Sequence, residues 1–71
     1  MTVLPITTEY IKLQDMMKLA DLVSTGGEAK LHILNEEVTV NGEVCTMRGK
    51  KLRPGEVVSF AGRELTVEYA T

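Results

Sequence analysis

The spacing of apolar residues changes from a helical to a strand pattern near Glu37, and this change limits the folds open to the chain. From residue 13 onward, apolar residues recur three or four positions apart, which predicts one helix of about three turns. These residues are Leu13, Met16, Met17, Ala20 and Val23. After Glu37 the period is two, as in strands with one buried face. Helices that precede a run of strands, instead of alternating with them, predict an α+β domain.

A second helix is predicted immediately after residues 24–27. Thr25 and Glu28 have the spacing of a capping box, in which each side chain satisfies a free backbone N–H at the other position. Asn35 is expected to end this helix in a left-handed conformation. Two helices joined by so short a turn are expected to lie side by side as an αα-hairpin.

Turn sequences divide the strand half of the chain. Asn41-Gly42 predicts a type I′ hairpin, because both central residues of that turn need a positive φ. Pro54-Gly55 and residues 61–63 predict two further turns. The predicted strands are residues 7–12, 38–40, 43–45, 57–60 and 65–69, with residues 46–53 as a loop. We therefore expect a two-helix hairpin packed on a small, mostly antiparallel sheet, in a single domain spanning residues 1–71.

Positive charge is concentrated in residues 48–53, Arg-Gly-Lys-Lys-Leu-Arg, which hold four of the eight Lys and Arg residues. The chain as a whole has a net charge of −2, which argues against indiscriminate binding of nucleic acids. Cations gathered on one loop suit contact with a nucleic-acid backbone. A solvated charge run, or lysines that protect a strand edge from aggregation, is the alternative. Judged from residues 48–53 alone, this alternative is slightly favoured over contact with a nucleic acid.

The start of the second helix is another candidate anion site. Free backbone N–H groups and the helix dipole attract phosphate to such a position. Gly26 and Gly27 have no side chains to keep a phosphate away. Lys30 adds positive charge one turn later, whereas Glu28 opposes an anion unless its carboxylate is engaged in the cap. A tight turn between helices is the alternative that needs no ligand.

Catalysis is poorly supported by the residues present. A catalytic nucleophile needs an adjacent base held by a third group, and Cys45 with His32 is the only nominal pair. One cysteine and one histidine do not suffice for a structural zinc site. We therefore expect that the chain is not an enzyme and that it binds no cofactor and no metal. The single cysteine, with no secretory signal pattern and no long apolar run, predicts a cytoplasmic protein.

Three motifs together resemble a known family. They are Thr25-Gly26-Gly27-Glu28-Ala29-Lys30, Val38-Thr39-Val40-Asn41-Gly42 and Gly55-Glu56. In order and spacing they are similar to the αL-motif RNA-binding domain named after small-subunit ribosomal protein S-four, with the motif core at residues 13–56. Among its members the chain looks most like the small stand-alone bacterial proteins, YaaA-like and YbcJ-like. The chain departs from the family pattern at three places. Gly26 replaces the usual Arg, Arg48-Gly49 replaces a Pro-Ser often found in the loop, and Glu36 replaces the usual Gly.

The resemblance implies a non-catalytic protein that recognises structured RNA, with ribosomal RNA as the expected class, through phosphate and shape contacts from the helices and the basic loop. Carried over to this chain, the implied RNA contacts are Lys12, Thr25, Gly26, Lys30, Arg48, Lys50, Lys51 and Arg53. The three aromatic residues are expected in strands that supply the core, which leaves little aromatic surface for stacking single-stranded bases. They are Tyr10, Phe60 and Tyr69.

Two other functions compete with RNA binding. Residues 1–47 have seven acidic residues and three lysines, a balance of −4. In a protein-interaction module this acidic surface would be the binding face, and the basic loop would be incidental. A DNA-binding helix-turn-helix ranks third, because Gly26, Gly27 and Glu28 offer almost no base-reading side chains.

Overall fold

The change of period near Glu37 marks the boundary between the helices and the main run of strands. The computed structural model describes residues 2–70. Within them, the elements in chain order are β1 (Thr2–Ile6), β2 (Ile11–Lys12), α1 (Leu13–Leu19), α2 (Gly26–Leu34), β3 (Val38–Val40), β4 (Glu43–Val44), β5 (Lys51–Leu52), β6 (Val57–Phe60) and β7 (Arg63–Tyr69). This confirms the predicted α+β class. Neither helix is long and apolar enough to cross a membrane.

Five of the strands form one sheet in the order β1-β7-β6-β3-β4. The pairs β3–β4, β3–β6 and β6–β7 are antiparallel, and β1 runs parallel to β7. The sheet is therefore mostly antiparallel, as predicted. The two remaining strands, β2 and β5, form a separate antiparallel ribbon.

The prediction of a first strand at residues 7–12 is wrong for most of that range. The first strand is Thr2–Ile6, residues 7–9 form bends, and only Ile11–Lys12 of the predicted range is extended, as β2. Pro5 argues against a strand in the sequence, because proline lacks the N–H of a ladder hydrogen bond. At a sheet edge that loss is tolerated, and β1 is an edge strand.

The first helix is shorter than predicted, with seven residues. Asp21, at φ 62°, is left-handed, and its N–H donates to the carbonyl of Lys18 at 3.1 Å. The N–H of Leu22 donates to the carbonyl of Met17 at 3.0 Å, which completes a Schellman motif. Val23 still reaches the core beyond this turn, with 6% exposure. The apolar spacing therefore continues past the end of the helix.

The second helix begins with a variant of the predicted capping box. The hydroxyl of Thr25 accepts from the N–H of Glu28 at 3.1 Å. The carboxylate of Glu28 accepts in return from the N–H of Ser24 at 3.0 Å, one residue before the N-cap. Two donors at the start of the helix are thus satisfied by side chains.

The second helix also ends in a Schellman motif, but not with Asn35 in the left-handed conformation. Asn35 has φ −81° and ψ 10°, whereas Glu36 has φ 61°. The N–H of Glu36 donates to Ile33, and the N–H of Glu37 donates to His32, both at 3.1 Å. The prediction is wrong by one residue, because this motif places the left-handed residue after the C-cap.

The predicted hairpin at Asn41-Gly42 is present, with φ values of 53° and 87°. The Asn41 side chain also reaches beyond the hairpin, where its oxygen accepts from the N–H of Val57 at 2.9 Å and its nitrogen donates to Glu56 at 3.5 Å. The carboxylate of Glu56 also accepts from the N–H of Arg53 at 2.6 Å. These hydrogen bonds join the hairpin turn to the turn at residues 54–55.

One core cluster joins the helices to the strands. Its members with at most 1% exposure are Leu13, Met16, Met17, Ala29 and Ile33 from the helices, and Val38, Leu52, Val58, Leu65 and Val67 from the strands. Full burial of a Val, Leu, Ile or Met side chain contributes about 1.5–3 kcal/mol. Leu52 lies in the ribbon, so the ribbon is anchored in the same core.

Candidate nucleic-acid interface

Residues 48–53, called the basic loop from here on, are held against the start of α1 by their own backbone. The carbonyl of Lys50 accepts from the N–H of Leu13 at 2.9 Å, and the carbonyl of Arg48 accepts from the N–H of Gln14 at 3.1 Å. The first N–H groups of a helix have no partner inside the helix, so they need acceptors from elsewhere. The basic loop supplies them with carbonyls and keeps its cationic side chains available for other contacts.

Part of the basic loop is a strand, which corrects the prediction of a loop throughout residues 46–53. Lys51 and Leu52 form β5, in register with Lys12 and Ile11 respectively. Side chains alternate across a strand, and here Leu52 is fully buried while Lys51 is exposed. The single apolar residue of the basic loop therefore anchors it, and the neighbouring cations project outward.

The register of the ribbon places two lysines opposite each other. Lys12 and Lys51 are cross-strand partners, and both are exposed. Like charges directly opposite on one face of an antiparallel pair are destabilising. The two lysines therefore concentrate positive charge on one face of the ribbon.

An aromatic ring lies beneath the basic loop. The Lys51 ammonium is 4.9 Å from the centre of the Tyr10 ring, and the Arg53 guanidinium carbon is 5.9 Å from it. Both distances are within the range of cation–π attraction. Tyr10 lies between β1 and β2 and is half-buried, so its predicted place in a strand that supplies the core is wrong. Tyr69 lies in β7, a strand as predicted, but it is 50% exposed and does not supply the core. Phe60 lies in β6 and is in the core, as predicted.

The start of α2 combines favourable and unfavourable features for an anion. Gly26 is the first helical residue, and a Cβ added there would meet no atom within 4 Å. Lys30 is exposed on the same helix. The hydroxyl of Thr25 and the carboxylate of Glu28 are both engaged in the cap. The carboxylate nevertheless brings negative charge to the helix start, which opposes an anion there.

Comparison with known proteins identifies the family. The S4 domain model matches residues 4–68. The chain belongs to the S4 domain family. This S4 domain is 46% identical over 57 residues to "Probable ribosome maturation protein RlbA" of Bacillus subtilis (strain 168), with 80% of each chain covered. It is 36% identical over 58 residues to "Putative RNA-binding protein YbcJ" of Escherichia coli (strain K12), with 82% of this chain and 83% of that protein covered.

The solution structure of YbcJ from E. coli, described as revealing an αL motif involved in RNA binding, matches this S4 domain with a TM-score of 0.73. The two are 32% identical, and the match covers 96% of this chain and 87% of that one. The comparisons confirm the predicted family and its αL-motif fold. The descriptions of YbcJ name RNA binding, which is a non-catalytic activity.

The S4 domain fold brings the backbones of five of the eight predicted contact residues together, in the ribbon and the basic loop. The members of this group are Lys12, Arg48, Lys50, Lys51 and Arg53. The other predicted contacts, Thr25, Gly26 and Lys30, belong to the start of α2. Within residues 2–70 no hydrogen bond, ion pair or ring contact joins them to the basic loop. The sequence interpretation did not include Tyr10, because only tertiary contacts bring it to the basic loop.

The two residues considered as a nominal catalytic pair have structural contacts in the S4 domain. His32 lies 4.9 Å from the Phe60 ring, and its Nδ1 is 3.1 Å from a carboxylate oxygen of Glu37. The thiol of Cys45 donates to the carbonyl of Met47 at 3.7 Å. Among residues 2–70, no group of three or more His, Cys, Asp or Glu side chains is arranged to hold a metal ion.

Proposed function

We propose that this S4 domain recognises structured RNA, and ribosomal RNA in particular, through phosphate and shape contacts, in the cytoplasm. The observation that carries the proposal is the fixed backbone of the basic loop, which projects cationic side chains beside Lys12. The proposed contacts are Lys12, Arg48, Lys50, Lys51 and Arg53, with Thr25, Gly26 and Lys30 as a second set at the start of α2. The names of RlbA and YbcJ, which mention ribosome maturation and RNA binding, support this choice of ligand.

A fixed loop favours binding because less conformational freedom is lost when the ligand arrives. Here the backbone is held by two hydrogen bonds to α1 and by the buried side chain of Leu52. A-form RNA presents phosphates on either side of a wide, shallow groove, which proteins recognise by shape and backbone contact. Five cations that each neutralise a phosphate predict a logarithmic salt slope of roughly −3 to −5.

The test compares two double variants with equal net charge. Lys51→Gln with Arg53→Gln removes two cations from the basic loop, and Lys18→Gln with Arg63→Gln removes two exposed cations elsewhere. Each pair changes the net charge from −2 to −4, since two positive charges are lost. Affinity for a panel of ribosomal RNA hairpins and intact ribosomal subunits is measured across a salt series. We expect the loop pair to reduce the slope by roughly 1.4–1.8, and the control pair to leave it unchanged.

Two results would contradict the proposal, provided that circular dichroism shows both double variants folded. Equal weakening by the two pairs would mean that net charge, and not the basic loop, governs binding. Binding to subunits that ignores both pairs would indicate a ribosomal protein as the partner. That result would favour the protein-interaction module that uses the acidic surface of residues 1–47.

A further inference from the structure

We propose that Tyr10 is a stacking platform for one unpaired nucleotide of the RNA, in the groove between the Tyr10 ring and α1. This inference rests on the proposed function and adds a base contact to its phosphate contacts. It narrows the expected ligand from structured RNA in general to a structured RNA with a bulged or extruded nucleotide. The half-buried Tyr10 ring and the cavity beside it carry the inference.

The cavity has a volume of about 460 Å³ and is lined by Thr8, Tyr10, Ile11, Lys12, Asp15 and Leu19. Sites for small organic ligands are typically about 300–1,000 Å³, with apolar walls and a few polar groups. Ile11 and Leu19 supply apolar surface here, and Leu19 is 67% exposed. The cavity therefore suits the flat apolar faces of a nucleobase.

The platform is held in place before any ligand binds. The hydroxyl of Thr8 donates to the backbone carbonyl of Tyr10 at 2.7 Å, which fixes the bend that presents the ring. Lys51 and Arg53 lie near the same ring, at 4.9 and 5.9 Å. A base stacked on Tyr10 would thus have cations close enough to bind its own phosphate. Aromatic stacking joined to a basic groove is the usual arrangement for binding unpaired nucleotides.

The carboxylate of Asp15 favours a base over a second phosphate in the cavity. Asp15 lines the cavity, and its carboxylate is 3.7 Å from the Lys18 ammonium in an exposed, weak pair. A carboxylate repels phosphate but accepts hydrogen bonds from the amino group of a base. Positive charge lies near Tyr10, and negative charge lies at Asp15. This difference in charge therefore orients a nucleotide with its phosphate toward the basic loop.

The experiment uses the hairpin that binds most tightly in the salt series, prepared in two forms. One form is fully paired, and the other has a single bulged 2-aminopurine nucleotide, whose fluorescence reports stacking. We expect the wild-type chain to prefer the bulged form by about 5- to 150-fold, the range that one base–aromatic stack provides. Tyr10→Phe keeps the ring and should keep the preference. Tyr10→Leu should abolish both the preference and the fluorescence change, with the salt slope retained.

A second variant keeps the test decisive if Tyr10→Leu fails to fold. Leu19→Glu changes an exposed side chain and places a carboxylate in the cavity. It should weaken binding of the bulged hairpin more than binding of the paired one, and so reduce the preference between them. The stacking proposal is overturned if the wild-type chain binds both hairpins equally, or if neither Tyr10→Leu nor Leu19→Glu reduces the preference. In that case, a salt slope still lowered by Lys51→Gln with Arg53→Gln would leave the proposed function standing.

Discussion

Replacing Glu36 with glycine should stabilise the fold. Glu36 occupies the left-handed position of the Schellman motif that ends α2, with φ 61°. Glycine is the usual residue there, because a Cβ is crowded by the neighbouring carbonyl in the left-handed region. The Glu36 side chain is exposed and makes no hydrogen bond or ion pair within residues 2–70. Glu36→Gly therefore relieves strain without removing a side-chain contact.

The magnitude follows from two opposing terms. A non-glycine residue in the left-handed conformation costs about 1–2 kcal/mol, which the substitution relieves. Glycine also makes the unfolded chain more flexible, which opposes folding by about 0.4–1 kcal/mol. We expect the free energy of unfolding to rise by about 0.5–1 kcal/mol. For a domain of this size, that corresponds to an increase in Tm of about 2–8 °C.

Thermal and urea unfolding followed by circular dichroism measure this change. Glu36→Ala is the matched control, since it loses the same charge and the same side chain but retains the Cβ. Only the glycine variant should be more stable than the wild-type chain. If alanine stabilises as much as glycine, charge is responsible and the argument from backbone strain is refuted. A glycine variant no more stable than the wild-type chain would refute it equally.

Four further predictions follow from single positions. Ala61 has φ 53° in the turn between β6 and β7, so Ala61→Asn, which tolerates this conformation, should raise the free energy of unfolding by about 0.5 kcal/mol in urea melts. Asn41→Ala should lower the free energy of unfolding by about 1–3 kcal/mol, because the N–H of Val57 loses its acceptor. Asn41→Gly is the control, since it removes the same acceptor but tolerates the positive φ of this position. Leu52→Ala should lower the free energy of unfolding by about 2–5 kcal/mol, whereas Leu52→Met should cost under about 1.5 kcal/mol. Gly26→Arg has open space for its side chain and should tighten RNA binding and steepen the salt slope by about 0.7–0.9; an unchanged slope would exclude the start of α2 from the interface.

The motifs that identify the family serve mainly to hold the fold. Thr25 and Glu28 cap α2, and Asn41 and Glu56 join two turns. These side chains are therefore already engaged in hydrogen bonds within the protein. The cations proposed to contact RNA lie largely outside those motifs, in the basic loop. A family match at the motif residues thus specifies a scaffold, and most of the proposed RNA contacts are side chains that the motifs do not define.

The candidate site was only partly predictable from sequence. The concentration of charge in residues 48–53 is visible in the sequence, and the structure shows these residues fixed against α1. The contact of Lys51 and Arg53 with Tyr10 was not predictable, because it depends on the pairing of β2 with β5. Two-residue strands are too short to show a period of two. The local sequence pattern therefore does not predict the pairing of β2 with β5.

The amino-acid sequence by itself determined the features that local chemistry controls. The turn at Asn41-Gly42, the cap at Thr25 and the change of period near Glu37 each depend on residues close together in the chain. Only the tertiary structure decided where distant segments meet, including the parallel pairing of β1 with β7 and the place of Tyr10 beneath the basic loop. Backbone conformation and capping are decided within a few residues, whereas strand pairing and burial depend on the free energy of packing the whole core.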